Sequence, residues 1–297
     1  MLIKKGFLLA AIIYLFNSLG NVAQGILIKR YQQTLSVGVY EMIAIKCLVA
    51  CLIMLPFAWK YLKHFHKNLK IVLMLSVLYS LDLLCCNTGF KTVPINTGTL
   101  ILLLIPLWIV VLGRVILNEK SFNKVNAAAL LVCLFAVFIP IRSEISFGGF
   151  NTGYIFLFAA SIIIPLGLIL QKRFSDCRPV PYALFTNALV LGIISLSLCK
   201  FELPALNGEV MTAGLLVALC DLVEFAGVYI AYQMAEAALL QPIRFTRILI
   251  SMVLSYIILS ERPTSAQVIG AVMIIAANAF SIWYSRKYQS KKYVKRG

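Results

Sequence analysis

Six charged residues lie inside long apolar segments of the sequence, where a charge is unfavourable unless it has a structural or functional role. They are Lys46, Asp82, Asp221, Glu224, Arg244 and Arg247. By insertion scales a charged side chain at the bilayer centre costs roughly 2.5–3.5 kcal/mol, so such residues normally face a bundle interior and pair there. The pattern predicts either buried ion pairs or a site for a charged or zwitterionic solute. Asp82 and Glu224 are also the carboxylates that could carry a coupling proton.

Helix geometry places each of these acids at the depth of a base. Two residues on consecutive spans share a depth when they are equally far along the chain from the turn between the spans. With turns near residues 64 and 234, the level pairs are Lys46 with Asp82, Asp221 with Arg247, and Glu224 with Arg244. Equal depth does not prove contact, but paired charges would leave a nearly neutral site, which suits a zwitterion.

Polar stripes on two segments indicate a cavity. Asn17, Asn21 and Gln24 share one helix face in the first segment. A second stripe in the ninth segment consists of Gln241, Arg244, Ser251 and Ser255. Such side chains can instead hold helices together, and this alternative stays open. The predicted substrate-binding set is Asn21, Gln24, Lys46, Asp82, Asp221, Glu224, Arg244 and Arg247.

The elements that must position these residues are transmembrane helices. The composition is 61% hydrophobic and 13% charged, with a mean hydropathy of +0.93, and so little charge cannot coat a soluble globule of 297 residues. A spanning helix needs about 20 mainly apolar residues. Ten segments qualify: 6–28, 37–57, 69–88, 94–117, 123–141, 152–171, 181–199, 211–231, 237–260 and 266–285.

The distribution of basic residues predicts the orientation. With the N-terminus inside, 18 Lys and Arg residues fall on the inner side and 6 on the outer side. Lys and Arg concentrate on the cytoplasmic side of membrane proteins, so both termini are expected in the cytoplasm. The net charge of +16 is spread over short loops without interleaved aromatics, which argues against nucleic acid as a partner.

Two pairs of similar segments reveal a duplication. ILIKRY at 26–31 matches ILQKRF at 169–174, a sequence offset of 143, and VILNEK at 115–120 matches IILSER at 257–262, an offset of 142. Five spans in each half make the second half inverted, as in many secondary transporters. The expected fold is an all-α integral membrane protein of ten helices, with residues 1–145 as the first repeat and 146–297 as the second repeat plus a basic cytoplasmic tail.

The segments AEAALLQPIRFTRILISMVLSYIILSERPT (235–264) and VIGAVMIIAANAFSI (268–282), with TVPINTGTLILLLIPLWIVVLGRVILNEK (92–120), resemble the drug/metabolite transporter superfamily. The most similar branch is its EamA-like ten-helix family, and the resemblance covers essentially the whole chain. It implies a central cavity within two inverted repeats. It also implies a small organic substrate: an amino acid, a nucleotide-related compound or an S-adenosylmethionine-like zwitterion or cation. Together with the short loops, the resemblance implies a multi-pass protein of the cell inner (plasma) membrane.

Prolines and terminal acids suggest how the helices are shaped. Pro106, Pro165 and Pro242 are predicted to interrupt the fourth, sixth and ninth spans. Glu119 and Glu261 end the fourth and ninth spans and are interpreted as architectural caps of neighbouring helices.

The sequence favours a secondary transporter working by alternating access. The chain has no P-loop motif and no HExxH motif. We therefore expect no enzymatic activity, no cofactor and no metal. The expected partners are a small-molecule substrate, the lipid bilayer and a proton or an exchanged solute. The alternatives are a membrane-embedded enzyme and a non-transporting scaffold.

Overall fold

The computed structural model describes residues 2–62, 69–117, 124–148, 151–174, 179–234, 240 and 243–294. Over these residues the structure is helical, without strands. The described helices are α1 (Leu2–Thr34), α2 (Val39–Leu62), α3 (Leu69–Thr92), α4 (Ile95–Leu102), α5 (Ile105–Leu117), α6 (Lys124–Gly148), α7 (Gly153–Arg173), α8 (Val180–Leu198), α9 (Gly208–Met234), α10 (Thr246–Leu259) and α11 (Ser265–Val294).

The helices have the length and surface of a membrane bundle. Six of the described helices, α1, α2, α3, α7, α8 and α9, are long and apolar enough to cross a bilayer, and three shorter apolar segments accompany them. Large apolar side chains point outward, among them Leu52, Val115, Phe135 and Ile257, each at least 62% exposed. Lipid tolerates this surface where water would not, which confirms the predicted all-α integral membrane fold.

The fourth predicted span is broken in its middle. Helix α4 ends at Leu102 and α5 begins at Ile105. Pro106 has no N–H to donate to the Leu102 carbonyl, and the turn is closed instead by tighter bonds, such as Leu104 N to Ile101 O at 3.1 Å. The interruption predicted at Pro106 is confirmed.

The ninth span breaks at the equivalent position. Residues 243–244 are helical, Phe245 is a turn, and α10 begins at Thr246. Phe245 is the repeat equivalent of Leu103, because the two residues are separated by the same offset as VILNEK and IILSER. Pro242 lies outside the described residues.

The interruption predicted at Pro165 is wrong. Helix α7 runs without a break through that residue. One missing backbone hydrogen bond can be accommodated in a transmembrane helix that packs against neighbours.

Helices of the first half pack mainly against helices of the second half. The most extensive contacts join α1 to α9, α2 to α8, α3 to α7 and α6 to α11. Because α1 corresponds to α7 and α3 to α9 in the repeat, the α1–α9 and α3–α7 interfaces are counterparts. The described helices thus fit two inverted five-helix repeats. The division between residues 145 and 146 stays a prediction, and α6 continues through it to Gly148.

Glycines allow the closest approaches at both counterpart interfaces. A Cβ on Gly20 would lie 2.7 Å from the Cys220 carbonyl oxygen of α9. A Cβ on Gly89 would lie 2.5 Å from Leu157 Cγ of α7. Small residues at helix contacts in membranes let the backbones approach and gain packing energy.

Candidate functional site

A cavity lies between the two halves of the bundle. Its empty volume is about 1030 Å³, including the space at its opening. Residues from α1, α3, α4, α5, α7, α8, α9 and α10, together with Arg244 just before α10, form its wall. Its wall combines mainly apolar side chains with a few convergent polar and charged groups, which is the composition of sites that bind small organic ligands.

The structure places the eight predicted site residues in two groups. Six of them line the cavity: Asn21, Gln24, Asp82, Glu224, Arg244 and Arg247. The other two, Lys46 and Asp221, are buried behind its wall. The role of all eight residues in substrate binding stays a prediction. The fold nevertheless brings them together at or just behind the wall of one cavity.

Lys46 and Asp221 form a buried ion pair. Lys46 is fully buried on α2, and its Nζ lies 2.9 Å from Asp221 Oδ1 on α9. Tyr79 donates its hydroxyl to the same carboxylate oxygen at 3.0 Å. The depth argument had set Lys46 level with Asp82, and the structure pairs it with Asp221 instead.

Gln24 connects this ion pair to the cavity. In the amide orientation that its neighbours require, its nitrogen lies 2.9 Å from Asp221 Oδ1 and 3.1 Å from Glu224 Oε2. Its oxygen then accepts a hydrogen bond from Lys46 Nζ at 2.8 Å. Helices α1, α2 and α9 are therefore joined by one polar network that reaches the cavity wall.

Arg247 is held by the polar stripe of α1. Its guanidinium donates to Asn17 Oδ1 at 2.7 Å and to Asn21 Oδ1 at 3.2 Å, and its Nε lies 3.4 Å from Ser18 Oγ. The Asn21 amide in turn donates to the Glu224 carboxylate. Ser18 was missed from the sequence, although it lies beside Asn17 in the same segment.

Arg244 differs from Arg247 because, within the described part of the chain, one nitrogen of its guanidinium has no hydrogen-bond partner. The residue is only 4% exposed and lines the cavity, and its buried Nη1 has no hydrogen-bond partner among the described residues. Buried polar groups are almost always satisfied. A guanidinium nitrogen in this position at a cavity wall is chemically suited to an anionic group.

Asp82 supplies negative charge across the cavity. Among the described residues it forms no salt bridge, and the only hydrogen bond described for its carboxylate comes from Cys86 Sγ at 3.5 Å. Asp82 and Glu224 are separated by the repeat offset, so the duplication puts an acid on α3 and its counterpart on α9. The cavity thus presents two carboxylates as well as two guanidinium groups.

Part of the cavity wall is aliphatic, and sequence reasoning missed it. This apolar wall consists of Leu102 and Ile105 beside the break between α4 and α5, with Ile163, Ile164, Gly167 and Leu168 of α7. The repeat offsets could have found it. Leu102 and Ile105 are the repeat equivalents of Arg244 and Arg247, and Ile164 and Gly167 are those of Asn21 and Gln24.

Other predicted polar residues hold helices together. Glu261 accepts the Ile95 backbone N–H at 3.1 Å and pairs with Lys29 Nζ at 2.8 Å, which confirms it as a cap of the α4 start. Ser251 and Ser255 donate to Asn96 Oδ1 at 3.3 and 3.2 Å and so join α10 to α4. Glu119 and Gln241 lie outside the described residues.

An apolar helical bundle with internal pseudo-symmetry and a charged central cavity defines a multi-pass membrane transporter. The model of the EamA-like transporter family matches residues 4–141 and again 151–283. The chain belongs to the EamA-like transporter family, and it transports a small metabolite. The two matches correspond to the two halves of the bundle.

Relatives agree with this assignment, and a solved structure agrees with the fold. The S-adenosylmethionine uptake transporter of Rickettsia prowazekii (strain Madrid E) is 24% identical over 262 residues, covering 86% of both chains. The protein of the same name from Rickettsia bellii (strain RML369-C) is 25% identical, covering 85% of this chain and 87% of the relative. A solved crystal structure, 16% identical with a TM-score of 0.60, covers 96% of this chain and 99% of its own, and shows the fold alone.

Proposed function

We propose that this chain takes up an S-adenosylmethionine-like amino-acid zwitterion by alternating access. The transported molecule crosses unchanged, without catalysis, through the cavity between the two halves. The observation that carries the proposal is Arg244, a buried guanidinium at the cavity wall whose Nη1 has no hydrogen-bond partner in the described ranges. An α-carboxylate is the complementary group, since guanidinium–carboxylate hydrogen bonds are charge-assisted and short.

The acids account for the positive groups of such a substrate. S-adenosylmethionine carries an ammonium and a sulfonium beside its carboxylate. Asp82 and Glu224 both line the cavity and supply two negative charges. Tyr79 and Phe225, whose ring centroids are 4.5 Å apart, line it next to them and add aromatic faces that attract cations. Charge and shape together favour a zwitterion with an additional positive centre over an anion.

The membrane setting rests on two different arguments. The resemblance to the EamA-like family and the short loops favour an inner membrane. Both termini are placed in the cytoplasm because 18 basic residues fall on that side against 6 on the other. Transport is driven by a proton, by an exchanged solute or by the gradient of the substrate. Asp82 is the carboxylate that we assign to a coupled proton, since among the described residues only Cys86 Sγ is seen to donate to it. Glu224, in contrast, accepts hydrogen bonds from the Asn21 and Gln24 amides.

Uptake into proteoliposomes tests the proposal. Purified wild-type protein should accumulate radiolabelled S-adenosylmethionine, and Arg244→Gln should reduce uptake at least about tenfold, the factor for a lost hydrogen bond to a charged group. Arg142→Gln is the matched control, because Arg142 is exposed on α6, a helix that supplies none of the residues described as lining the cavity. It should transport like the wild type.

Two results would contradict the proposal. Wild-type protein that binds and transports no sulfonium or amino-acid zwitterion would rule out the substrate class. Equal transport by Arg244→Gln and Arg142→Gln would remove Arg244 from the site. For the proton, Asp82→Asn should abolish the dependence of uptake on an imposed pH gradient, and an unchanged dependence would exclude Asp82 as the carrier.

A further inference from the structure

The apolar wall of the cavity has no function in binding the charged groups of a zwitterion. It is built from residues on two separate elements, the break between α4 and α5 and one face of α7. Ile163, Ile164, Gly167 and Leu168 fall at i, i+1, i+4 and i+5, which places them on a single side of α7. No charged residue of α4, α5 or α7 is among the described residues that line the cavity.

Gly167 leaves room in this wall. A Cβ built on Gly167 would have no neighbouring heavy atom within 4 Å, although most other glycines of the bundle would meet atoms at 2.3–3.1 Å. The repeat equivalent of Gly167 in the first half is Gln24, whose side chain reaches the Lys46–Asp221 pair. The same site in the pseudo-symmetric bundle is thus filled on one side and open on the other.

The cavity has a charged wall and an apolar wall. Arg244 and Arg247 stand on one side, at the positions where the apolar wall has Leu102 and Ile105. A ligand that places its carboxylate at Arg244 must direct its far end away from that guanidinium. Burial of ligand surface against aliphatic side chains is favourable, so an uncharged ring is a group that suits the open wall.

We propose that Gly167, with Ile164 and Leu168, forms a subsite for the nucleoside end of the substrate, and that the missing side chain at residue 167 sets the size accepted there. This subsite rests on the proposed function, since it assumes a zwitterion held at Arg244. It divides the substrate into a charged part recognised by α1, α3, α9, α10 and Arg244, and a ring recognised by α7.

Competition with fragments of S-adenosylmethionine tests the division. S-methylmethionine keeps the zwitterion and the sulfonium without the nucleoside, and 5′-methylthioadenosine keeps the nucleoside without the zwitterion. Each is titrated against the binding of radiolabelled S-adenosylmethionine to purified wild-type protein, Gly167→Leu and Arg244→Gln. Gly208→Leu is the control, because Gly208 also has open space around its Cβ position but lies exposed at the start of α9, outside the cavity.

We expect each of the two cavity variants to weaken the binding of one fragment and to spare the other. Gly167→Leu should weaken 5′-methylthioadenosine at least tenfold and leave S-methylmethionine within twofold. Arg244→Gln should do the reverse, and Gly208→Leu should change neither. Across Gly167→Ala, Gly167→Val and Gly167→Leu, the affinity for S-adenosylmethionine should fall stepwise with side-chain volume.

Different outcomes separate the subsite from the proposed function. If wild-type protein binds S-adenosylmethionine and Gly167→Leu binds 5′-methylthioadenosine as well as the wild type does, the subsite is overturned and the transport proposal stands. Equal weakening of both fragments by Gly167→Leu also overturns the subsite, because the variant then disturbs the whole cavity. If wild-type protein binds neither S-adenosylmethionine nor its fragments, the proposed function fails and the subsite with it.

Discussion

The fourth and ninth spans have one backbone plan and opposite side-chain chemistry. Both break in the middle, at Leu103 and at its repeat equivalent Phe245. Next to the first break, Leu102 and Ile105 present aliphatic side chains to the cavity. At the equivalent positions next to the second break stand Arg244 and Arg247. Duplication thus supplied a symmetric frame, and substitution made the two faces of the cavity different.

The acids of the cavity wall, in contrast, are the same in both halves. Asp82 and Glu224 are also equivalent in the repeat, and both kept a carboxylate at the cavity wall. In the proposed binding mode, one acid from each half holds the positive group at the centre of the substrate. The residues that differ between the halves, arginines in one and aliphatic residues in the other, distinguish its two ends.

The largest expected effect comes from breaking the buried Lys46–Asp221 ion pair behind the charged part of the cavity wall. Lys46→Met leaves the buried Asp221 carboxylate without its cation, and removing one partner of a buried pair costs about 3–5 kcal/mol. Thermal unfolding of the detergent-purified protein measures it. The double variant Lys46→Met/Asp221→Leu should recover most of the loss, and a double variant as unstable as the single one would show that the charges are not coupled.

A smaller effect is expected where α1 holds Arg247. Asn17→Leu removes an acceptor 2.7 Å from Arg247 Nη2, and a hydrogen bond to a charged group contributes about 1.5–3 kcal/mol. Because Arg247 lines the cavity, this loss should reduce both thermal stability and S-adenosylmethionine uptake. Asn278→Leu serves as a control, since Asn278 is a buried amide of α11 outside the cavity lining. If both variants reduced uptake equally at equal stability, the role of Asn17 in holding Arg247 would be excluded.

The two counterpart interfaces provide the next comparison. Gly89→Ala at the α3–α7 contact and Gly20→Ala at the α1–α9 contact both force a Cβ to within 2.7 Å of a neighbouring atom. Overpacking typically costs about 1–3 kcal/mol, so each should lower the unfolding temperature. Gly208→Ala, with open space around it, should not. Unchanged stability in both interface variants would mean that the halves do not approach as closely as described.

The smallest expected effect concerns the end of the bundle near Glu261. Glu261→Ala removes the acceptor of the Ile95 N–H and the partner of Lys29, and loss of a helix cap costs typically about 1 kcal/mol. The matched variant Arg262→Ala, at the neighbouring exposed position, should change stability less. Equal unfolding temperatures for the two variants would show that the cap contributes nothing.

Much of the fold was predictable because lipid imposes strict rules. Apolar length and the repeated segments predicted the helices, and the cost of buried charge pointed to six of the eight residues assigned to the site. The partners were not predictable in the same way. Depth along the membrane normal is a single coordinate, and lateral packing decides the neighbours, so Lys46 on α2 pairs with Asp221 on α9 rather than with Asp82 on α3.

The apolar wall was hidden for a different reason. The sequence does not show whether an isoleucine such as Ile164 in a transmembrane segment faces lipid, a neighbouring helix or a cavity. Gly167 likewise gave no signal until the space around it was known. Only the repeat offset, applied position by position from Asn21 and Gln24, marks these residues in the sequence.

The most direct test is an experimental structure of the protein with S-adenosylmethionine bound. The account expects the carboxylate within about 2.7–2.9 Å of the Arg244 guanidinium, as in charge-assisted hydrogen bonds. It expects the sulfonium between Asp82 and Glu224 and the adenine against Ile164 and Gly167. A ligand bound in the reverse direction, with adenine at Arg244 and the carboxylate against α7, would contradict the division of the cavity into a charged and an apolar wall.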